Sequence, residues 1–218
     1  MTEFLPTFND DLSTTLQILI LLTVLSLAPS ILILMTCFTR IVIVLSFVRT
    51  GLATQQMPPN QVLIALALFI TFFIMAPVFA EVNEQALSPL LAGEIDQEEA
   101  FDRAVVPMKE FMAKHTREKD LALFMGYAGM DRPQTLDDIP LTALVPAFAI
   151  SEIKTAFQIG FFIFVPFLVI DMIVASVLMA MGMMMLPPVM IALPFKILLF
   201  VMVDGWHLVV QSLLLSYS

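Results

Sequence analysis

The sequence is poor in the residues that build catalytic, redox and metal sites. Its one cysteine, Cys37, has no partner in the chain, so no internal disulfide framework can form. Its two histidines, His115 and His207, lie far apart and have no cysteine or carboxylate at metal-ligand spacing. Phosphate-binding glycine loops, nucleophile elbows and zincin patterns are missing from the sequence. We therefore expect no catalytic residues, no metal site and no cofactor.

Charge is also scarce. Only 13% of the 218 residues are charged, whereas 60% are apolar, and the mean hydropathy is +0.96. The net charge of −9 is concentrated in the middle of the chain and in its first residues, which argues against nucleic acid as a partner. This composition predicts a membrane-associated protein.

Apolar residues form four regions that are longer than a buried helix of a soluble protein requires. Prolines lie within or at the ends of these regions, and a proline inside a helix bends it. The sequence therefore predicts an all-α, multi-pass protein in which proline-bent apolar helices form hairpins. The four regions are 12–48, 62–79, 143–185 and 189–215, and the prolines are Pro29, Pro77, Pro146, Pro166 and Pro194.

A polar segment separates the second and third apolar regions and carries most of the charge. Apolar residues at three- and four-residue spacings predict short amphipathic helices over 95–112 and 121–127, and residues 129–140 read as a loop. We therefore divide the chain into an N-terminal hairpin (1–79), a polar, extracytoplasmic domain (80–142) and a C-terminal hairpin with a methionine-rich tip (143–218).

The orientation follows from the basic residues of short loops. Arg40 and Arg49 flank the 49–61 connection and place it in the cytoplasm, which puts 80–140 outside and the turn at 186–188 inside. The first twelve residues carry no basic residue and no cleavage site follows them, so we expect no cleaved signal peptide.

A methionine cluster at 179–190 ends in a double proline between the last two apolar regions. Pro187 and Pro188 remove two backbone donors and predict a helical hairpin turn, and Gly182 is expected to permit tight packing. Composition alone favours a loosely packed hairpin. The alternative is a surface that conforms to a variable ligand, because thioether side chains are flexible.

Six ionisable residues lie inside the apolar regions, where a charge costs several kcal/mol unless it faces protein or water. One interpretation is a proton path built on Asp171 and Asp204. Because both signs occur, salt bridges within or between subunits are favoured, with Glu152 and Lys196 as the expected pair. Alternatively the bent helices pack against other subunits, aided by Gly160, Gly182 and Gly205. The six residues are Arg40, Glu152, Lys154, Asp171, Lys196 and Asp204.

Five long stretches closely resemble the FliP family of flagellar export-gate proteins. A related protein of virulence injectisomes is the near alternative, and the polar middle segment resembles the flagellar branch more. An ion-coupled secondary transporter or a purely structural scaffold would be the other classes. The stretches are 36–50, 58–77, 151–161, 181–188 and 193–206.

The resemblance implies a protein-conducting gate of the type III secretion kind in the flagellar basal body. It implies a homopentamer that joins FliQ and FliR, with FlhA and FlhB nearby, in a helical cone within the basal-body ring of the bacterial cell membrane. Unfolded flagellar subunits would pass through its centre. The family's pore gasket maps onto Met183, Met184 and Met185, and Glu152 and Lys196 match positions associated with contacts between subunits.

Overall fold

A computed structural model of the chain describes residues 33–54, 56–130, 133, 135–183 and 185–217, together with six single positions between 16 and 26. Every regular element within these residues is helical, which confirms the all-α prediction. A π-helical turn, Asn83–Leu87, joins the second helix to the third. The helices are α1 (Phe38–Gly51), α2 (Asn60–Val82), α3 (Ser88–Ala92), α4 (Gln97–His115), α5 (Glu118–Tyr127), α6 (Leu141–Ala180), α7 (Pro188–Met202) and α8 (Gly205–Leu215).

Two helical stretches in the described residues are long and apolar enough to cross a membrane. One runs from α2 through α3, Asn60–Ala92, and the other is α6 with 40 residues; α7 and α8 together give a third candidate with a bend of 62°. At about 1.5 Å per residue α6 is roughly 60 Å long, twice the hydrocarbon thickness of a bilayer. Part of the first apolar region, including Pro29, lies outside the described residues, so the arrangement of the hairpins stays a prediction.

The sharp bend in the last apolar region comes from Asp204 and not from a proline. Pro146 and Pro166 lie inside α6 and Pro194 lies inside α7, and both helices continue through them. Asp204 instead adopts a left-handed backbone with φ +50°, a conformation that aspartate tolerates better than most residues. Asp204, which the sequence marked only as a charge in an apolar region, thus separates α7 from α8.

Within the polar segment, two amphipathic helices, α4 and α5, form as the spacing predicted, whereas residues 80–92 continue the helical stretch that begins with α2. Asp96 caps α4 by accepting a hydrogen bond from the Glu99 N–H at 2.9 Å, and acidic residues fill the first turn, where they complement the helix dipole. The described residues of 129–140 form turns and irregular backbone.

The core lies around α1, which is packed between the other long helices. Its residues Ile41, Val44, Leu45 and Val48 repeat at three- and four-residue spacing and are fully buried. Gly160 of α6 lets the Phe47 ring approach, since a Cβ there would lie 2.5 Å from the ring. The outer surfaces of α2 and α6 remain apolar and exposed, so they need cover from lipid or from protein.

Candidate functional site

A buried ion pair joins α1 to α6. The Arg40 Nε donates to Glu152 Oε2 at 3.0 Å, and its Nη2 donates to Glu152 Oε1. Glu152 is 0% exposed. Because the pair is bidentate and dry, losing either partner would leave an uncompensated buried charge, which costs about 3–5 kcal/mol in such sites.

Two residues near the end of α8 complete this network. The Arg40 Nη1 donates to the Ser216 carbonyl at 3.2 Å and to the Ser216 hydroxyl at 3.0 Å. The Tyr217 hydroxyl donates to Glu152 Oε2, and the Arg40 guanidinium lies over the Tyr217 ring, 4.0 Å from its centroid. Tyr217 does not stand out in the sequence as a site residue. The feature that could have identified it is its position directly after an apolar run. A tyrosine there is expected to be buried, and a buried tyrosine hydroxyl usually finds a hydrogen-bond partner.

His115 belongs to the edge of the same cluster. Its ring lies 4.9 Å from that of Phe111 and 4.9 Å from that of Tyr217. Burial first, and then the positive charges of Arg40 and Lys114, lower the pKa of His115 to about 4. The basic residues next to His115 in the sequence suggest an exposed side chain. In the structure the ring instead packs against two aromatic rings, and the lowered pKa favours its neutral form.

A second ion pair joins α6 to α7. The Lys196 ammonium donates to Asp171 Oδ2 at 2.6 Å, and Lys196 is 2% exposed. The expected pair of Glu152 with Lys196 is therefore not formed within the chain, because each residue has a different and closer partner. The other oxygen of that carboxylate, Asp171 Oδ1, is buried and makes no hydrogen bond to a described residue.

The remaining flagged charges are exposed. Lys154 lies on an open face of α6, and Asp204 lies at the bend between α7 and α8. The predicted membrane orientation used Arg40 as a basic loop residue. Arg40 instead lies in α1, buried against Glu152, so it does not count as a loop charge. The orientation then depends on Arg49, which donates to Asn60 across the 49–61 connection.

A polar contact docks α5 on α6. The backbone N–H of Arg117 donates to the Ser151 hydroxyl at 3.1 Å, and that hydroxyl donates to Asp120 at 2.7 Å. The Arg117 guanidinium donates to Thr155 at 3.1 Å and to Gln158 at 2.8 Å. These polar residues of α6 therefore form its face toward the polar segment.

The methionine cluster lies at the exposed turn between α6 and α7. Helix α6 ends at Ala180, earlier than predicted, because Gly182 adopts φ +74° and closes a Schellman motif. In that motif the Met183 N–H donates to Leu178 O at 2.9 Å and the Gly182 N–H to Met179 O at 3.1 Å. Among the described residues other than its chain neighbours, no atom would lie within 4 Å of a Cβ at Gly182. Within one chain, this glycine therefore serves the backbone conformation of the turn.

The proposed gasket residues differ in what the structure describes. Met183 is 42% exposed and Met185 is 99% exposed, whereas Met184 lies outside the described residues. Pro187 caps α7 and Pro188 is its first residue, as the double proline predicted. The two arms below the turn enclose an open apolar groove of about 530 Å³, lined by Ile170, Ile173, Val174, Val177, Leu178, Met181, Ile191 and Phe195.

These features define an all-helical membrane protein, with long apolar helices held by buried ion pairs and a methionine-rich turn at one end. Among the described residues no group of three or more histidine, cysteine or acidic side chains could hold a metal ion. The chain belongs to the FliP family, whose model matches residues 21–213.

Several curated proteins named "Flagellar biosynthetic protein FliP" are similar to the chain over most of its length. The protein of Bacillus subtilis strain 168 is 70% identical, with 100% of both chains covered. That of Pectobacterium carotovorum subsp. carotovorum is 51% identical, covering 100% of this chain and 84% of its own. That of Aquifex aeolicus strain VF5 is 50% identical, covering 94% and 86%.

Proposed function

We propose that the chain is a core subunit of the flagellar protein export gate in the bacterial cell membrane. It assembles as a cone-like homopentamer with FliQ and FliR, near FlhA and FlhB in the basal body, and conducts unfolded flagellar subunits. Membership of the FliP family and relatives named as flagellar biosynthetic proteins support this function.

One observation carries the channel role: methionines are exposed at the end of a hairpin whose long arm spans about 60 Å. A soluble turn would bear polar residues, and exposed thioethers at this position need an apolar surface or one another. Placed around a common axis by several subunits, Met183, Met184 and Met185 would form an apolar ring.

Such a ring suits a protein-conducting pore. An apolar constriction loses its water when it is narrow, and ions then cannot cross it. Flexible unbranched side chains can deform around a passing polypeptide of mixed sequence and close again behind it. Gly182, Pro187 and Pro188 would hold the ring in place at the turn.

The three parts of the chain then have separate roles in the proposal. Residues 1–79 and 143–218 provide the helices of the cone, and residues 80–142 form an extracytoplasmic cover docked on α6 through Arg117. Exposed Lys154 and Asp204 are available for contacts between subunits, whereas Arg40, Glu152 and Lys196 are already buried within the subunit.

Replacing Met183, Met184 and Met185 together by alanine tests the seal. We expect a several-fold higher leak of small ions through the purified particle reconstituted in vesicles, because three shorter side chains widen the constriction. Assembly of the particle should be nearly unchanged, since Met183 and Met185 are both exposed within the subunit.

Two matched controls sharpen this test. Met190→Ala removes an exposed methionine of the same turn region that lies outside the triplet, and its leak should equal that of the wild type. Replacing the triplet by leucine keeps an apolar ring with stiffer side chains, so ions should stay blocked while export slows. An alanine triplet as tight to ions as the wild type would refute the gasket, and unchanged export in the leucine triplet would favour a scaffold.

A further inference from the structure

The C-terminal arm, defined as α7, the bend at Asp204, α8 and residues 216–217, is held to the rest of the chain at two polar points. Among the described residues, one point is the Lys196–Asp171 ion pair near the middle of α7. The other consists of Ser216 and Tyr217, bound to Arg40 and Glu152. The methionine turn lies at the far end of α7 from this second point.

Three helices, α1, α4 and α6, contact Tyr217. Its hydroxyl reaches Glu152 of α6, its ring lies under Arg40 of α1, and it stacks on Phe111 of α4 with ring centroids 6.1 Å apart. It is 8% exposed, whereas Tyr127, the other tyrosine, is 96% exposed. One side chain therefore connects the arm to both buried charges and to the polar segment.

We propose that Ser216 and Tyr217 form a latch that holds the C-terminal arm against α1 and α6 and thereby fixes the position of the methionine turn. Helices α7 and α8 are joined at a single bend, so movement of Tyr217 away from Glu152 frees the end of the arm. The Lys196–Asp171 pair and the packing of Phe200 on Phe167 still hold α7, and the arm tilts about these contacts. Tyr217 is a positioning residue, since it acts on the turn only through the arm. The effect on the turn rests on the proposed function, whereas the latch itself does not.

The chain carries its own reporter for the latch. Cys37 is the only cysteine, it is 0% exposed, and it lies three residues before Arg40. Cys37 and Tyr217 belong to the same buried apolar cluster. A maleimide can reach this thiol only when the surrounding cluster opens, so its labelling rate measures latch opening in the full chain without an added cysteine.

The test compares Tyr217→Phe with Tyr217→Ala in the detergent-purified particle. Tyr217→Phe removes only the hydroxyl and should raise the labelling rate of Cys37 about tenfold, the effect of losing one hydrogen bond to a buried charge. Tyr217→Ala should label faster still, and Cys37→Ser should abolish labelling. The matched control, Tyr127→Phe, should label at the wild-type rate.

Ion leak through the same particles tests the coupling to the turn. Tyr217→Phe should leak more than Tyr127→Phe while the particle stays assembled. Wild-type labelling of Cys37 in Tyr217→Phe would overturn the latch. Faster labelling with a wild-type leak would overturn the coupling, provided that the alanine triplet at 183–185 leaks. If that triplet is tight, the gasket fails instead and the labelling result still decides the latch.

Discussion

His115 makes the stability of the folded chain depend on pH. Its pKa is about 4 in the folded chain against 6.5 in an ordinary histidine, so the unfolded chain binds a proton between these values and the folded chain does not. The stability from this residue is full above pH 6.5 and falls as the pH drops toward 4.

We expect this residue to cost about 1 kcal/mol of folding free energy between about pH 7 and about pH 5, since it is only partly buried. Thermal unfolding of the purified protein across that range measures it. His115→Gln should make the midpoint less sensitive to pH, whereas His207→Gln, which changes an exposed histidine, should not. Equal slopes in both variants would contradict this assignment.

The buried charges show what could be predicted residue by residue. Arg40, Glu152 and Lys196 interrupt apolar runs, and that pattern alone marked them as charges in need of a partner. Their partners could not be predicted, because Arg40 and Glu152 are 112 residues apart and only the packing of α1 on α6 brings them together. Tyr217 could not be identified either, because its charged partner Glu152 is 65 residues away in the sequence.

At the scale of elements, Gly182 determines where α6 ends. Its φ of +74° is strained for any residue with a Cβ, so Gly182→Ala should destabilise the turn by about 1–2 kcal/mol. Gly126 provides the matched control, because it lies in α5 with a helical backbone and open space around it. Gly126→Ala should stabilise the protein by about 0.5–1 kcal/mol.

Thermal unfolding midpoints of the two variants check this prediction through their opposite signs. A stabilising Gly182→Ala would mean that the left-handed conformation is not needed at the turn. Ion leak should also rise in Gly182→Ala if the turn positions the methionines.

The elements were easier to predict than their ends. Spacing identified α4 and α5 and the double proline identified the start of α7, because these signals are local. The end of α6 was placed five residues too late, at Met185 and not at Ala180, because methionine is a good helix former and only the conformation of Gly182 stops the helix. The bend at Asp204 was not predicted, because the residue was interpreted as a buried charge and not as a position with a left-handed backbone.

At the scale of the whole molecule, the apolar outer surface is too large for a subunit in water. Phe69, Phe72 and Phe73 on α2 and Phe161 and Phe162 on α6 are all exposed. Contiguous apolar surface of this kind marks contact with lipid or protein. Hydropathy predicted these helices correctly but cannot distinguish the two environments, so the number of subunits does not follow from the sequence or from one chain.

Imaging of the purified particle decides between them. We expect a ring of five copies in a cone with additional helical subunits, in which much of the α2 and α6 surface is covered by protein. A particle with one or two copies surrounded by detergent would contradict the cone and favour the transporter alternative, for which loss of Asp171 should abolish transport of a small solute.

Arg40 is synthesised well before Glu152, the residue that neutralises its charge. A ribosome that adds about 5–20 residues each second needs roughly 6–22 s to make the 112 residues between the two. Arg40 therefore emerges with an apolar segment well before its counter-charge exists, and Ser216 follows later still. During synthesis this charge must stay in water or against another protein, so insertion of α1 into its final place has to wait for α6.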